Sequence, residues 1–145
     1  MNHSNPVFIP GPTNLPESVR RAIDQPTIDH RSPAFAQSIP RLFAGLRSIV
    51  ATEAGHIFIF PGTGTGGWEA TIANTLSKGD RVLACRHGVF SDKWIRLCEA
   101  FGLIVDVIEC DWTGPADPTL IEAALRADQN QAIKAVLATH NETAT

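Results

Sequence analysis

The chain contains no tyrosine and one methionine, and its three cysteines, Cys85, Cys98 and Cys110, are odd in number and show no C-x-x-C spacing. The lack of tyrosine excludes any mechanism that draws a tyrosine acid or base from this stretch. The cysteine pattern offers neither a disulfide framework nor a zinc site, so the three are read as reduced thiols. Strong charge of either sign is also missing. A formal net charge of -3 and a pI near 5.9 give no basic field to attract nucleic acid or an anionic membrane. No apolar run approaches membrane-spanning length, and the start MNHSNPVFIPGP lacks the basic and apolar stretches of a signal peptide. A soluble chain in the cytoplasm is expected. The five histidines, His3, His30, His56, His87 and His140, are scattered without H-E-x-x-H or a comparable cluster, so no metal is expected.

What is present suffices for one globular core: 145 residues, 43% hydrophobic and 19% charged. The stretch HIFIFPGTGTGGWEA, His56 to Ala70, reads as strand, turn and helix. Ile57 to Phe60 form a short apolar run that Pro61 and Gly62 end at once, as in a strand covered on both faces. Gly62, Gly64, Gly66 and Gly67 then keep side chains away while Thr63 and Thr65 supply hydroxyls. Trp68, Ile72 and Leu76 follow at helical spacing. Open N–H groups at a helix start, backed by the helix dipole, suit a phosphorylated cofactor. Gly62, Gly64 and Gly67 also satisfy G-x-G-x-x-G, a dinucleotide pattern. A nucleotide-triphosphate loop is disfavoured because Trp68 and Glu69 stand where Lys-Ser or Lys-Thr would follow, and a tight turn without a ligand is the remaining alternative.

Along the chain, Asn5 to Pro16 is an extended arm rich in proline, and Glu17 to Asp24 a short helix stopped by Pro26. Ser32-Pro33 opens a longer helix through Phe35, Ile39, Phe43 and Leu46 that Pro40 should kink or split. After the central strand comes a helix from about Gly67 to Leu76, then a strand over Arg81 to Cys85. A helix capped by Ser91 and ended by Gly102 follows, then a strand over Leu103 to Ile108. Asp117-Pro118 opens the last helix, and Ile133 to Thr139 makes a fourth strand. This alternation predicts an α/β fold with a mostly parallel sheet, flanking helices and right-handed crossovers. Ligands then belong in the loops after the strands: Pro61 to Gly67, Arg86 to Phe90, and His140 to Thr145.

Six segments in order carry a family resemblance. They are Ile9-Pro10-Gly11-Pro12-Thr13, His30-Arg31-Ser32-Pro33, Gly62-Thr63-Gly64-Thr65-Gly66, Trp68-Glu69-Ala70, Gly88-Val89-Phe90 and His140-Asn141-Glu142-Thr143-Ala144-Thr145. Over nearly all of its length the chain resembles the N-terminal part of the class V pyridoxal-phosphate aminotransferases, and within them the serine-glyoxylate group. The resemblance implies part of the large domain of a fold-type I enzyme, with residues 1–50 as an entrance and dimer-contact arm and residues 51–145 as the first part of the cofactor-binding domain. It implies that Thr63, Gly64 and Thr65 hold the phosphate of pyridoxal 5'-phosphate, that Phe90 lies against its pyridine, and that Thr143 contacts it near the phenolic oxygen. Gly11 and Arg31 would line the substrate side. Glu69, Asn141 and Glu142 are expected to bond a helix start or a loop, and Trp68 to belong to the core.

The chemistry of that cofactor needs a Schiff-base lysine and a carboxylate on the pyridine nitrogen. Lys78, Lys93 and Lys134 match no such lysine motif, which in the family lies beyond residue 145, so a stretch of a longer chain, inactive alone, is expected. The implied reaction is transfer of the amino group of L-serine, or alanine, to glyoxylate to give glycine, in a homodimer. The alternative is an NADP-binding Rossmann-type dehydrogenase domain, with Arg86 accepting a ribose phosphate.

Overall fold

The computed structural model describes residues 11–143. Val7, Phe8 and Ile9 of the arm, with Pro6 and Pro10, lie outside the described residues, as do Ala144 and Thr145. Two compact units make up the chain, residues 13–61 and residues 62–143, with residues 11 and 12 belonging to the second.

The first unit holds two helices, α1 (Glu17–Ile23) and α2 (Pro33–Ile49). Ser32 caps α2 as its position predicts, its hydroxyl accepting from the Phe35 N–H at 3.2 Å, with Pro33 preset for the first turn. Pro40 does not split this helix, which runs on to Ile49. Phe35, Ile39, Phe43 and Leu46 are half-buried at helical spacing, and no residue of this unit is fully buried. The predicted strand over Ile57 to Phe60 is not formed. Phe58 and Phe60 are 75% and 82% exposed and stack on each other with ring centroids 6.5 Å apart. Strand composition is present, but a strand is defined by its hydrogen-bonded neighbour, and none of the described residues pairs with this run.

The second unit alternates as expected: α3 (Gly64–Thr75), β1 (Arg81–Arg86), α4 (Val89–Ala100), β2 (Ile104–Glu109), α5 (Pro118–Ala127) and β3 (Ile133–Leu137). The strands are parallel in the order β2-β1-β3, with Cys85 opposite Ile108 and Arg86 opposite Glu109. Central placement explains why β1 reads as an unbroken apolar run: Val82, Leu83, Ala84 and Cys85 are all buried because both faces of the strand are covered. Val82 and Ala84 join Ile72 of α3, Ile95 and Cys98 of α4, Leu103 and Leu137 in one core cluster. β3 ends at Leu137, two residues earlier than predicted.

Gly102 stops α4 in the left-handed region, at φ 78°, and a Cβ there would lie 2.9 Å from Lys78 Cγ. Its carbonyl accepts from the N–H of Gly79, itself at φ 90°, so the two glycines join the turn before β1 to the turn before β2. Gly102→Ala is expected to cost about 1–2 kcal/mol, the left-handed penalty for a residue with a Cβ. A thermal melt checks this, and an unchanged midpoint would show the turn tolerates a side chain.

Candidate functional site

The loops of the second unit converge around the starts of α3 and α4. Thr63 caps α3, its Oγ1 accepting from the Gly66 N–H at 3.1 Å, and its carbonyl takes the Gly67 N–H. The helix therefore starts at Gly64, a turn earlier than predicted. No described residue accepts from the N–H groups of Gly64 or Thr65. A capping hydroxyl that accepts one bond still has its own proton to donate. The start of α3 thus offers two open N–H groups and the hydroxyls of Thr63 and Thr65, all exposed, at the positive end of a helix dipole. Nothing stands within 4 Å of a Cβ built on Gly62, Gly64 or Gly67, so the approach to this cradle is open. The set fits an anion of phosphate size.

The start of α4 is filled. Gly88 has no side chain to cap with, and Ser91, the predicted cap, is the third residue of the helix. The cap comes from Glu142 after β3, whose carboxylate accepts from the Phe90 N–H at 3.0 and 3.1 Å and from the Ser91 N–H at 2.9 Å. The Ser91 hydroxyl points its proton toward Gly88 O (2.9 Å) and Glu142 (3.2 Å) and accepts from the His87 N–H (3.0 Å). His87 is buried, and its Nε2 donates to Thr139 O at 3.2 Å. The loop after β1 and the loop after β3 are therefore tied at two places. Glu69 and Asn141 are exposed and make no such bond among the described residues.

Phe90, the second residue of α4, is half-exposed and meets Trp68 of α3 edge to face at 6.4 Å; Trp68 in turn stacks on Trp94 at 5.2 Å. Trp68 therefore packs on aromatic neighbours outside the core cluster expected to hold it, and the aromatic trio joins the two helix starts. Lys93 lies 5.3 Å from the Phe90 centroid and covers one face of that ring. Thr143 is exposed one residue beyond Glu142. The second unit therefore holds Thr63, Gly64 and Thr65 at the start of α3, Phe90 in the first turn of α4 and Thr143 after β3. Arg31, in the first unit, is exposed and its backbone N–H bonds Asp29 Oδ1, and no described residue lies within 4 Å of a Cβ built on Gly11.

Arg86 is not placed for a ribose phosphate. Strand pairing sets Glu109 against its Nη1, and its Nε lies 3.0 Å from Asp92 Oδ1, so two carboxylates already neutralise it. The three cysteines are free, and burial pushes the Cys85 thiol up to about 11, with Cys110 adding to the shift, so Cys85 stays protonated and unreactive at neutral pH. Among the described residues no cluster of histidine, cysteine or carboxylate could hold a metal ion, and no helix is long and apolar enough to cross a membrane. Glu142 bonds a helix start, one of the two roles expected of it; which helix it would reach, and the ties through His87, were not foreseen from the sequence. The one local signal was a glycine at a helix start, which obliges a cap to come from elsewhere.

No protein-family model matches the chain. Over 145 residues it is 50% identical to L-aspartate–glyoxylate aminotransferase of Paracoccus denitrificans, covering 100% of this chain and 37% of that one. It is 48% identical to serine–glyoxylate aminotransferase of Methylorubrum extorquens, covering 97% and 35%. The crystal structure of ureidoglycine–glyoxylate aminotransferase from Bacillus subtilis superposes with a TM-score of 0.73 at 27% identity, covering 92% of this chain and 34% of that one. The chain spans about a third of the length of these proteins. Shared sequence over its whole length and the superposed fold make the chain similar, along its full extent, to part of the class V pyridoxal-phosphate aminotransferases.

Proposed function

We propose that the protein takes part in transamination dependent on pyridoxal phosphate, with L-serine, or alanine, as amino donor and glyoxylate as acceptor. The observation that carries this reading is the open cradle at the start of α3, beside a half-exposed phenylalanine, in a chain about half identical to an aspartate–glyoxylate and a serine–glyoxylate aminotransferase. In this reading the N–H groups of Gly64 and Thr65 and the hydroxyls of Thr63 and Thr65 hold the phosphate. Phe90 keeps the ring in plane from its uncovered face, and the Thr143 hydroxyl bonds near the phenolic oxygen. Gly11 and Arg31 serve the substrate side, Arg31 meeting a carboxylate. The cofactor supplies the electron sink and carries the amino group between donor and acceptor. Lys93 is read as a cation–π partner of Phe90, and no lysine of this chain is assigned to the cofactor.

The protein is further read as a cytoplasmic homodimer. Support for the first point comes from the three free thiols, and for the second from the exposed apolar side chains of α1 and α2, Ile23 and Ile49 among them.

The test is the visible spectrum of the purified full-length protein with pyridoxal phosphate, titrated with L-serine, L-alanine and L-aspartate, then with glyoxylate, and with NADPH as competitor. A bound-cofactor band that changes with L-serine and returns with glyoxylate is the expected result. NADPH binding without any such band would overturn the reading.

A further inference from the structure

Glu142 joins the first turn of α4, which carries Phe90, to the segment after β3, which carries Thr143, through one charged group, and the geometry is specific. Its carboxylate accepts from the second and third N–H groups of α4, the two a helix N-cap normally satisfies, and takes a share of the Ser91 hydroxyl. Gly88 is needed for this contact. Its φ of 172° is extended backbone open to any residue, yet a Cβ on it would lie 2.2 Å from Glu142 Cδ and Cγ. Glu142 cannot swing aside at little cost, because its oxygens are held by those N–H groups.

We propose that Glu142 is a positioning residue for the cofactor: clamped on the first turn of α4, it sets Phe90 and its own neighbour Thr143 in fixed register, so the ring contact and the phenolic-oxygen contact are made together. The inference rests on the function proposed above. Phe90 is held through its own N–H, and Thr143 is one peptide from the clamped residue, so losing the carboxylate releases both. The cradle of α3 is closed by Thr63 on Gly66 and Gly67, whereas the bonds of Glu142 described above go to α4. Phosphate binding and ring binding should therefore respond differently to the same substitution.

The experiment compares the purified protein with Glu142→Gln, measuring affinity for pyridoxal phosphate, affinity for inorganic phosphate, and the visible circular dichroism of the bound cofactor. Glu142→Gln removes the charge and turns one acceptor oxygen into a donor, and should weaken pyridoxal phosphate about tenfold, the scale of one lost charge-assisted bond. The dichroic band should shrink as the ring loses its fixed plane, while inorganic phosphate binds as before. Gly88→Ala should reproduce this pattern, and adding Gly88→Ala to Glu142→Ala should do no further harm, because the clashing side chain is gone. Equal loss of both ligands would mean a merely structural role and overturn the inference, as would unchanged affinity and dichroism. If the unsubstituted protein binds phosphate but no pyridoxal phosphate, the proposed function itself fails and the inference falls with it.

Discussion

Thr65→Glu is expected to weaken pyridoxal-phosphate binding about a hundredfold while leaving the fold intact. Thr65 is the second residue of α3, exposed, with an N–H that no described residue uses. A glutamate there is good helix chemistry, since a negative side chain at a helix N-terminus interacts favourably with the dipole. The same charge competes for the open N–H groups and repels a phosphate placed on them. Two unit charges 4 Å apart at an effective dielectric of 20 repel by about 4 kcal/mol. Screening at an exposed site reduces this to roughly 2.7 kcal/mol, or two decades of affinity. Thr65→Ser keeps the hydroxyl and should bind within about threefold of the unsubstituted protein, less than the ~1 kcal/mol net worth of a typical hydrogen bond. Equilibrium titration with pyridoxal phosphate, paired with a thermal melt, reads both properties. Undiminished affinity in Thr65→Glu would remove the start of α3 from the cofactor site, whatever the melt showed.

The features legible in the sequence were those decided by local chemistry. Ser32 and Asp117 each sit before a proline and each caps its helix with its own oxygen, Asp117 accepting from the Thr119 N–H at 2.8 Å. The strand from Arg81 declared itself because burial on both faces demands a continuous apolar run, and the glycine-threonine loop because an open helix start demands small residues. Other features are decided by partners distant in the chain. Ile57 to Phe60 have the composition of a strand and, among the described residues, no strand to pair with. Ser91 looked like a cap, but the cap of α4 arrives from a residue 51 positions on. Arg86 looked free until the β1–β2 register set Glu109 beside it. Phe90 was expected in the loop before α4 and is instead in its first turn; its contact with Trp68 required the packing of α3 against α4.

Ile95→Ala should produce the largest loss of stability, about 3 kcal/mol, with little change in the site. Ser91, Ile95 and Cys98 form the buried stripe of α4 at helical spacing, and Ile95 is fully enclosed among Ile72, Val82, Ala84, Cys98, Leu103 and Leu137. Truncation removes three carbons from a packed cluster and leaves a cavity whose walls belong to α3, the central strand and α4, so collapse onto it is restricted. Such isoleucine-to-alanine changes cost about 2–5 kcal/mol. Ile104→Ala is the control: Ile104 is 46% exposed at the start of β2, and its truncation should cost less than about 1 kcal/mol. Urea denaturation measures both. The start of α4 is held separately by Glu142, so below the melting transition Ile95→Ala should keep its affinity for pyridoxal phosphate within about threefold, a shift of ~0.6 kcal/mol. A large affinity loss in folded Ile95→Ala would mean that core packing, rather than the carboxylate clamp, holds Phe90 in place.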